Sequence, residues 1–384
     1  MRKSVCSGAL KEPHWFASAV NFKNYVPLKE RGTLLGYLNV CLNLSRGVKK
    51  LHQFDLIPGD LSFGSFLMDP SNGSVIIRKI AHLATKEFPL YHIQEDPEFA
   101  APERLKSLQA DDSSTPRTKE HDRHSLSTLI YHVLLRRHPL LGSPVFYPEA
   151  DGNRSVLPAD KPLFIENPDH PYKRLVLSPG NEKYMPWIDA RDLPSSVLGP
   201  HLGALFFRAF TDGLVDPSQR PEPGDWIDAL VKTRDMLHPC SNPECPTGSF
   251  VFNLETRACP YCGARVEDPV PYLEFHTMSG DKYIDESRSL FIPGNLSLYP
   301  WHLDKNTVPN EFLPPEKTKA AGYFSFHNGK WCFVNQTVSD LCYYKGKSKP
   351  RSVPINQMAE LEEDLVFFSP AQPVPYRLIV RISS

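Results

Sequence analysis

No stretch of 18 apolar residues occurs in the 384-residue chain, which argues against a membrane-spanning helix. The N-terminus, Met-Arg-Lys-Ser-Val-Cys, is followed by no apolar run long enough for a secretory signal. Charge of one sign is also missing. Against 43 Lys and Arg stand 44 Asp and Glu, a formal net charge of −1. The chain as a whole therefore exerts no pull toward nucleic acid or an anionic membrane. There is no internal repeat and no low-complexity segment. Eight cysteines do not suggest a disulfide framework in a chain this long, and four of them crowd between residues 240 and 262, which points to metal instead. These features fit a cytoplasmic protein with neither a nucleic-acid nor a membrane partner.

Proline, in contrast, is abundant: 38 residues, about twice the usual share. An interior proline costs a helix roughly 3 kcal/mol, so a mostly continuous helical bundle is excluded. Hydrophobic residues at 41% and aromatics at 11% suffice to bury a core. The length is about 2.6 times a typical domain and predicts two or three.

Residues 1–238 read as mostly helical. Leu34, Leu38, Cys41, Val48 and Leu51 recur at three-, four- and seven-residue steps and predict an amphipathic helix. Phe66-Leu67-Met68 and Val75-Ile76-Ile77 flank Asp69-Pro70-Ser71-Asn72-Gly73 and read as a small hairpin. Leu126, Leu129, Ile130, Val133 and Leu134 mark a buried helix. Residues 139–200 hold 11 prolines and little periodicity. Leu202, Leu205, Phe206 and Phe210 mark another helix, and Asp225 is the expected N-cap of one running through Trp226, Leu230 and Leu237.

In the segment 239–268, Cys240-x4-Cys245 and Cys259-x2-Cys262 are separated by 13 residues. Cys259-Pro260-Tyr261-Cys262-Gly263 is a knuckle: a tight turn aims two thiolates at one ion, and the glycine permits close backbone approach. Two such turns give four thiolates in tetrahedral array, which suits zinc. A closed four-thiolate set leaves no position for water, so a structural role is expected. His238 is read as lying outside the ligand set.

Residues 269–384 change period. Phe324/Phe326 and Trp331/Phe333 flank Asn328-Gly329, a strong hairpin signal. Residues 376–382 read as a closing strand, and the spacing of short strands and turns predicts a β-sandwich. The expected fold is thus α+β and multidomain.

Four short motifs occur in order in the first segment. Pro58-Gly59-Asp60-Leu61-Ser62-Phe63-Gly64-Ser65-Phe66-Leu67 follows the long helix. Ala101-Pro102-Glu103 comes about 40 residues later. Asp122-Arg123-His124-Ser125-Leu126 opens the buried helix, and Asp216-Pro217-Ser218-Gln219-Arg220-Pro221 follows much later. Their order and spacing resemble the C-terminal lobe of a eukaryotic-type protein kinase. With the zinc module behind it, the arrangement resembles bacterial kinase-like proteins of tellurium-resistance and stress-response loci. The resemblance implies that Asp60 is the catalytic-loop aspartate, which accepts the substrate hydroxyl proton. It implies that Glu103 and Arg220 form a structural ion pair, and that Asp122 holds the catalytic-loop backbone. Partners implied by it include a metal-dependent phosphatase and a von Willebrand A-type protein.

The departures from the motif carry as much information. The lysine expected two residues after the aspartate is Ser62, and the metal-binding asparagine expected five after it is Ser65. The Asp-Phe-Gly motif is expected near Arg78-Lys79-Ile80-Ala81, where Lys79 puts a cation in place of a magnesium-binding carboxylate; Lys79 is a candidate phosphate contact. Roughly 30 residues precede the long helix, no G-x-G-x-x-G occurs, and no lysine sits in a Val-Ala-Ile-Lys-like strand. An N-terminal lobe is expected to be missing, through truncation or decay, and Ser65 and Lys79 favour decay. These departures argue against ATP-magnesium binding, because phosphoryl transfer depends on charge neutralisation by that metal.

The last segment resembles a forkhead-associated domain in the order of its elements. Such domains bind phosphothreonine peptides, but the expected loop residues are replaced at Pro293-Gly294-Asn295, Thr318, Ala321 and Asp340-Leu341. Lys317, Lys319, Lys345, Lys347, Lys349 and Arg351 are either a solvated face or a basic one for an acidic or phosphorylated partner. Three domains follow: a degenerate kinase-like lobe over 1–238, a zinc ribbon over 239–268 and a forkhead-associated-like sandwich over 269–384. The expected function is that of a pseudokinase-type signalling scaffold in a bacterial phosphorylation or stress-response system. A divergent serine/threonine kinase using Asp60 and a phosphopeptide-binding module are the alternatives.

Overall fold

A computed structural model describes residues 10–13, 30–78, 83–85, 87–89, 95–110, 116–140, 162–169, 193–309 and 313–383. The chain falls into two compact units, Met1–Leu230 and Val231–Ser384.

The first unit opens with α1 (Leu34–Gln53), capped by the Thr33 side chain, which accepts the Gly36 amide. Leu34, Leu38, Cys41 and Val48 face inward as the periodicity predicts. The short strands β1 (Ile57–Pro58) and β4 (Leu83–Ala84) pair antiparallel around the loop that carries Asp60. Between them β2 (Phe66–Asp69) and β3 (Ser74–Ile77) form the expected hairpin. Its turn is built by Asp69, whose carboxylate accepts from the Ser71 amide and hydroxyl and from the Asn72 side chain. The turn presses on α1 so tightly that a Cβ at Gly36 would lie 1.7 Å from the Pro70 carbonyl oxygen. Lys11 exchanges both backbone bonds with Met68, adding a further bridge at this hairpin.

α2 (Pro102–Gln109) follows, then α3 (Lys119–Leu135). The sequence marks only an apolar face on α3, yet the helix is buried nearly all round, polar residues included. Ser125 and Ser127 satisfy their hydroxyls on carbonyls of Phe99, His121 and Arg123. Within the proline-rich excursion, residues 162–169 return to the core. Phe164 and Ile165 are buried there. The Glu166 carboxylate accepts from Tyr131, Arg137 and both the amide and hydroxyl of Ser195.

α4 (Gly199–Phe210), the single turn α5 (Asp212–Val215) and α6 (Pro223–Asp235) complete the helices at this end. Asp225 is not the N-cap of α6. The prolines at 221 and 223 set the start two residues earlier, and Asp225 instead reaches back from the first turn to accept the Glu222 amide (3.1 Å).

In the second unit, β5 (Leu237–Pro239) pairs with β6 (Ser249–Val251). Two antiparallel sheets follow. One has the order β13-β12-β15-β16-β7-β8, with β7 Val270–Ser279, β8 Lys282–Phe291, β12 Cys342–Lys345, β13 Arg351–Ser352, β15 Leu365–Phe368 and β16 Arg377–Ser383. The other has the order β14-β11-β10-β9, with β9 Ser297–Leu298, β10 Gly322–His327, β11 Lys330–Asn335 and β14 Met358–Glu360. Phe275, Leu378 and Val380 of the first and Phe324 and Phe333 of the second meet in one core. Asn328 (φ 50°) and Gly329 (φ 79°) make the tight turn, with Phe324 opposite Phe333 and Phe326 opposite Trp331. A second cluster joins Cys245, Phe250, Phe252 and Cys259 of the cysteine segment to Val270 and Phe291 of the sheet. The cysteine segment and the sandwich thus share one unit and adjoining cores.

Candidate functional site

Asp60 stands just after β1, in a stretch where Pro58, Gly59, Leu61 and Ser62 are also buried. Ser65, five residues on, spends its hydroxyl locally. It accepts the Ser62 amide (3.0 Å) and donates to the Ser62 carbonyl (2.7 Å), and Ser65 is 1% exposed. A hydroxyl so engaged holds a tight turn, in a residue closed off from solvent. Lys79 lies outside the described residues.

Glu103 and Arg220 meet. Arg220 donates Nη1 and Nη2 to the two Glu103 oxygens at 2.6 and 2.8 Å, a bidentate pair. It also donates to the Gly213 and Glu120 carbonyls. Burial acts to raise the Glu103 carboxyl, and the Arg220 hydrogen bonds and charge overcome it, holding Glu103 below its usual range. His121 approaches Glu103 from α3 at 3.4 Å. Burial pushes the His121 imidazole down to about 4, and its Nδ1 accepts the Thr118 amide, a bond only the neutral ring can make.

Among the described residues, the carboxylate of the fully buried Asp122 takes its hydrogen bonds from other side chains and not from the backbone of residues 58–62, where the resemblance places its partner. It accepts Nε2–H of His52 (2.9 Å), at the end of α1, and Nε–H of Arg117 (3.0 Å). Arg117 continues to Glu95, which also takes Arg104. Two carboxylates and two guanidiniums thus balance inside the lobe. Glu95, Arg104 and Arg117 escape sequence reading because no local pattern marks a charge as buried; the spacing of polar residues there looks like any solvated loop.

The other chemical centre is the cysteine cluster. β5 and β6 bring in Cys240 and Cys245, and a bridge between Ala258 and Arg265 closes the turn that carries Cys259 and Cys262. Gly263 takes φ +80° there, and its amide donates to the Cys259 carbonyl. The four sulfur atoms lie within 4.8 Å of one another, with Cys240–Cys262 at 3.4 Å and Cys245–Cys259 at 3.7 Å. Tetrahedral metal–sulfur bonds of about 2.3 Å place sulfurs about 3.8 Å apart, so the donor set fits a metal such as zinc. Burial raises the Cys259 thiol. At Cys262 burial also opposes ionisation, but the Ala264 amide and the Cys240, Cys259 and Asn242 side chains bring it to about 7. His238 turns away, to the Pro239 carbonyl and the Phe252 ring.

In the sandwich, the positions read against a forkhead-associated pattern are engaged with neighbouring groups of the same unit or buried. Asn295 donates to the Asp235 and Phe291 carbonyls. Ala321 is fully buried. Asp340 accepts from the Ser369 hydroxyl and the Ala371 amide. Thr318 donates to Pro315.

The ordered motifs and the Glu103–Arg220 ion pair resemble those of protein kinases. No protein-family model matches it. The chain is similar to protein kinase YegI of Escherichia coli K12, 24% identical over 226 residues, which cover 59% of this chain and 32% of YegI. It is similar to the YegI of Escherichia coli O157:H7, 24% identical over 249 residues, 64% of this chain and 36% of that protein. The chain thus spans about a third of the length of the curated relatives it matches. Among solved structures it is similar to ROP2 from Toxoplasma gondii, described as a virulence factor with a protein-kinase fold and no enzymatic activity. That likeness has a TM-score of 0.32 and 16% identity and covers 52% of this chain and 44% of ROP2. The kinase PK-1 of Cydia pomonella granulovirus gives a TM-score of 0.36 and 10% identity over 56% of this chain and 63% of that one. The YegI similarity supports a kinase-like reading of the chain.

Proposed function

We propose that the chain is a pseudokinase-type signalling scaffold: a kinase-like lobe used for protein–protein interaction, followed by a structural zinc ribbon and a β-sandwich with forkhead-associated-like order. The observation that carries this reading is the state of Ser65. Its position matches the metal-binding asparagine of the kinase motif, and its hydroxyl is turned to the Ser62 backbone in a residue only 1% exposed. The Glu103–Arg220 pair, by contrast, keeps its full geometry. Retained architecture beside a lost metal ligand is the pattern of a fold kept for its surface. Cys240, Cys245, Cys259 and Cys262 would hold zinc, which neutralises the thiolates and ties the two turns together. Protein partners, a metal-dependent phosphatase and a von Willebrand A-type protein among them, and a cytoplasmic, bacterial stress-response setting belong to the same proposal.

The likeness to YegI, a protein kinase, favours a second reading, in which Asp60 serves a divergent serine/threonine kinase. Thermal unfolding of the full chain with and without millimolar ATP and magnesium separates the two. The scaffold reading expects no shift in midpoint. A saturable rise that depends on magnesium would overturn it.

A further inference from the structure

The hairpin of β12 and β13 carries an unbalanced charge. Between Asp340 and Glu360 the sequence has no acidic residue, yet it holds Lys345, Lys347, Lys349 and Arg351. Residues 345–352 are all exposed. Acids do lie close by in the fold, but each is already taken. Glu362 accepts Lys345 at 2.8 Å, Glu360 pairs with Lys330, and Glu363 and Asp364 pair with Arg381. Among the described residues Lys347, Lys349 and Arg351 are left without an ion-pair partner, in a chain whose net charge is −1. The imbalance is therefore local and specific to this edge.

The place of these cations in the sheet adds a second property. β13 is the last strand in the order of its six-stranded sheet. Arg351 and Ser352 pair with Tyr343 and Cys342 on one side, and no described strand pairs with the other. An edge of this kind offers main-chain groups to an extended peptide, while side chains along it select the peptide's charge. We infer that the β12–β13 hairpin is a docking edge for an extended acidic peptide segment, with Lys347, Lys349 and Arg351, at alternate positions, reading carboxylates that alternate along it. The inference stands whether or not the lobe retains catalysis, and it goes beyond the scaffold reading by naming the surface and the chemistry of its partner.

Lysine and proline on an edge strand also guard against edge-to-edge aggregation. Reversing the three charges separates that role from docking, because glutamates guard an edge equally well. The test uses the full chain and fluorescence anisotropy with three labelled probes of about twelve residues or nucleotides. One is an alternating Glu-Val peptide, one a Thr-Val peptide with its threonines phosphorylated, and one an oligothymidine. The inference expects the Glu-Val peptide to bind and its affinity to fall about tenfold or more from 50 to 500 mM salt. It expects the triple variant Lys347→Glu, Lys349→Glu, Arg351→Glu to lose that binding about tenfold or more while staying monomeric and unfolding at the same temperature. The inference expects the phosphorylated peptide to bind no tighter than the Glu-Val peptide. No binding of the Glu-Val peptide at millimolar concentration, binding unchanged in the triple variant, or binding of the phosphorylated peptide or the oligothymidine alone would each overturn it.

Discussion

Arg220 reaches across 117 positions of sequence to grip both oxygens of Glu103, at 2.6 and 2.8 Å. The two partners are unequally placed: Arg220 is 1% exposed, whereas the Glu103 side chain is 37% exposed. Removing the carboxylate strands a buried guanidinium; removing the guanidinium leaves a carboxylate that can turn toward water. Glu103→Ala is therefore expected to cost about 2–4 kcal/mol, toward the lower side of a fully buried pair because of that exposure. Urea denaturation measures it, and a loss below about 1 kcal/mol would show that the pair does not organise the lobe.

The cysteine cluster predicts one zinc per chain, held by thiolates whose geometry already suits it. Cys245→Ser or Cys259→Ser, each replacing a buried sulfur, should abolish stoichiometric metal. The melting of the second unit should fall with it, because Phe250 and Phe252 pack in the same cluster. Elemental analysis of purified wild-type chain checks the first point. A metal-free preparation with unchanged melting would contradict both.

Four histidines predict acid sensitivity in the first unit. Burial pushes His121 and His138 down to about 4 and His132 to about 3, and places His124 well below its ordinary value. His138 is locked neutral by geometry as well: it donates Nε2–H to the Glu98 carbonyl, and its Nδ1 accepts the Leu140 amide. His132 sits against Phe63 and Phe99. In the unfolded chain all four titrate near pH 6.5. Between that value and about 4 the unfolded state binds more protons, so stability is full above 6.5 and falls as pH drops through the window. The slope is roughly 1.4 kcal/mol per pH unit for each histidine fully engaged. Denaturant midpoints from pH 7.5 to 5 measure it, and His132→Phe should shallow the slope by about one proton. A flat profile would show that these rings protonate freely in the folded state.

Two glycines in the β10–β11 hairpin should respond differently to alanine. Gly329 has φ +79° and open space where the alanine methyl would sit, so only backbone strain applies, about 1 kcal/mol. At Gly322 a methyl would lie 2.2 Å from the Phe333 ring and 2.4 Å from the Val334 carbonyl. There overpacking applies, about 2 kcal/mol or more. Thermal melts of the two variants should keep that order; the reverse order would argue against the register that places Gly322 opposite Asn335.

What can be read from sequence divides along physical lines. α1, the β2–β3 hairpin, the Asn328-Gly329 turn and the cysteine knuckles are specified by neighbours in the chain, through periodicity, turn chemistry and spacing. Each appears at its expected place. Interactions decided by distant partners are not legible. Glu95, Arg104 and Arg117 look like solvated charges until folding buries them together. Glu166 and the buried Phe164 lie within a proline-rich stretch that has no period to announce a return to the core. Asp122 stands out by its place in the motif, but its partners, His52 and Arg117, follow from helix packing rather than from the motif. The start of α6 precedes its expected position because prolines at 221 and 223 fix the backbone before Asp225 can act as a cap.

The central proposal is that the first unit is a kinase-like lobe that does not transfer phosphate. Its most direct test is incubation of the purified chain, and of Asp60→Asn beside it, with γ-labelled ATP, magnesium and a generic protein substrate. The account predicts no transfer above background and no difference between the two proteins. Magnesium-dependent labelling that disappears in Asp60→Asn would contradict it.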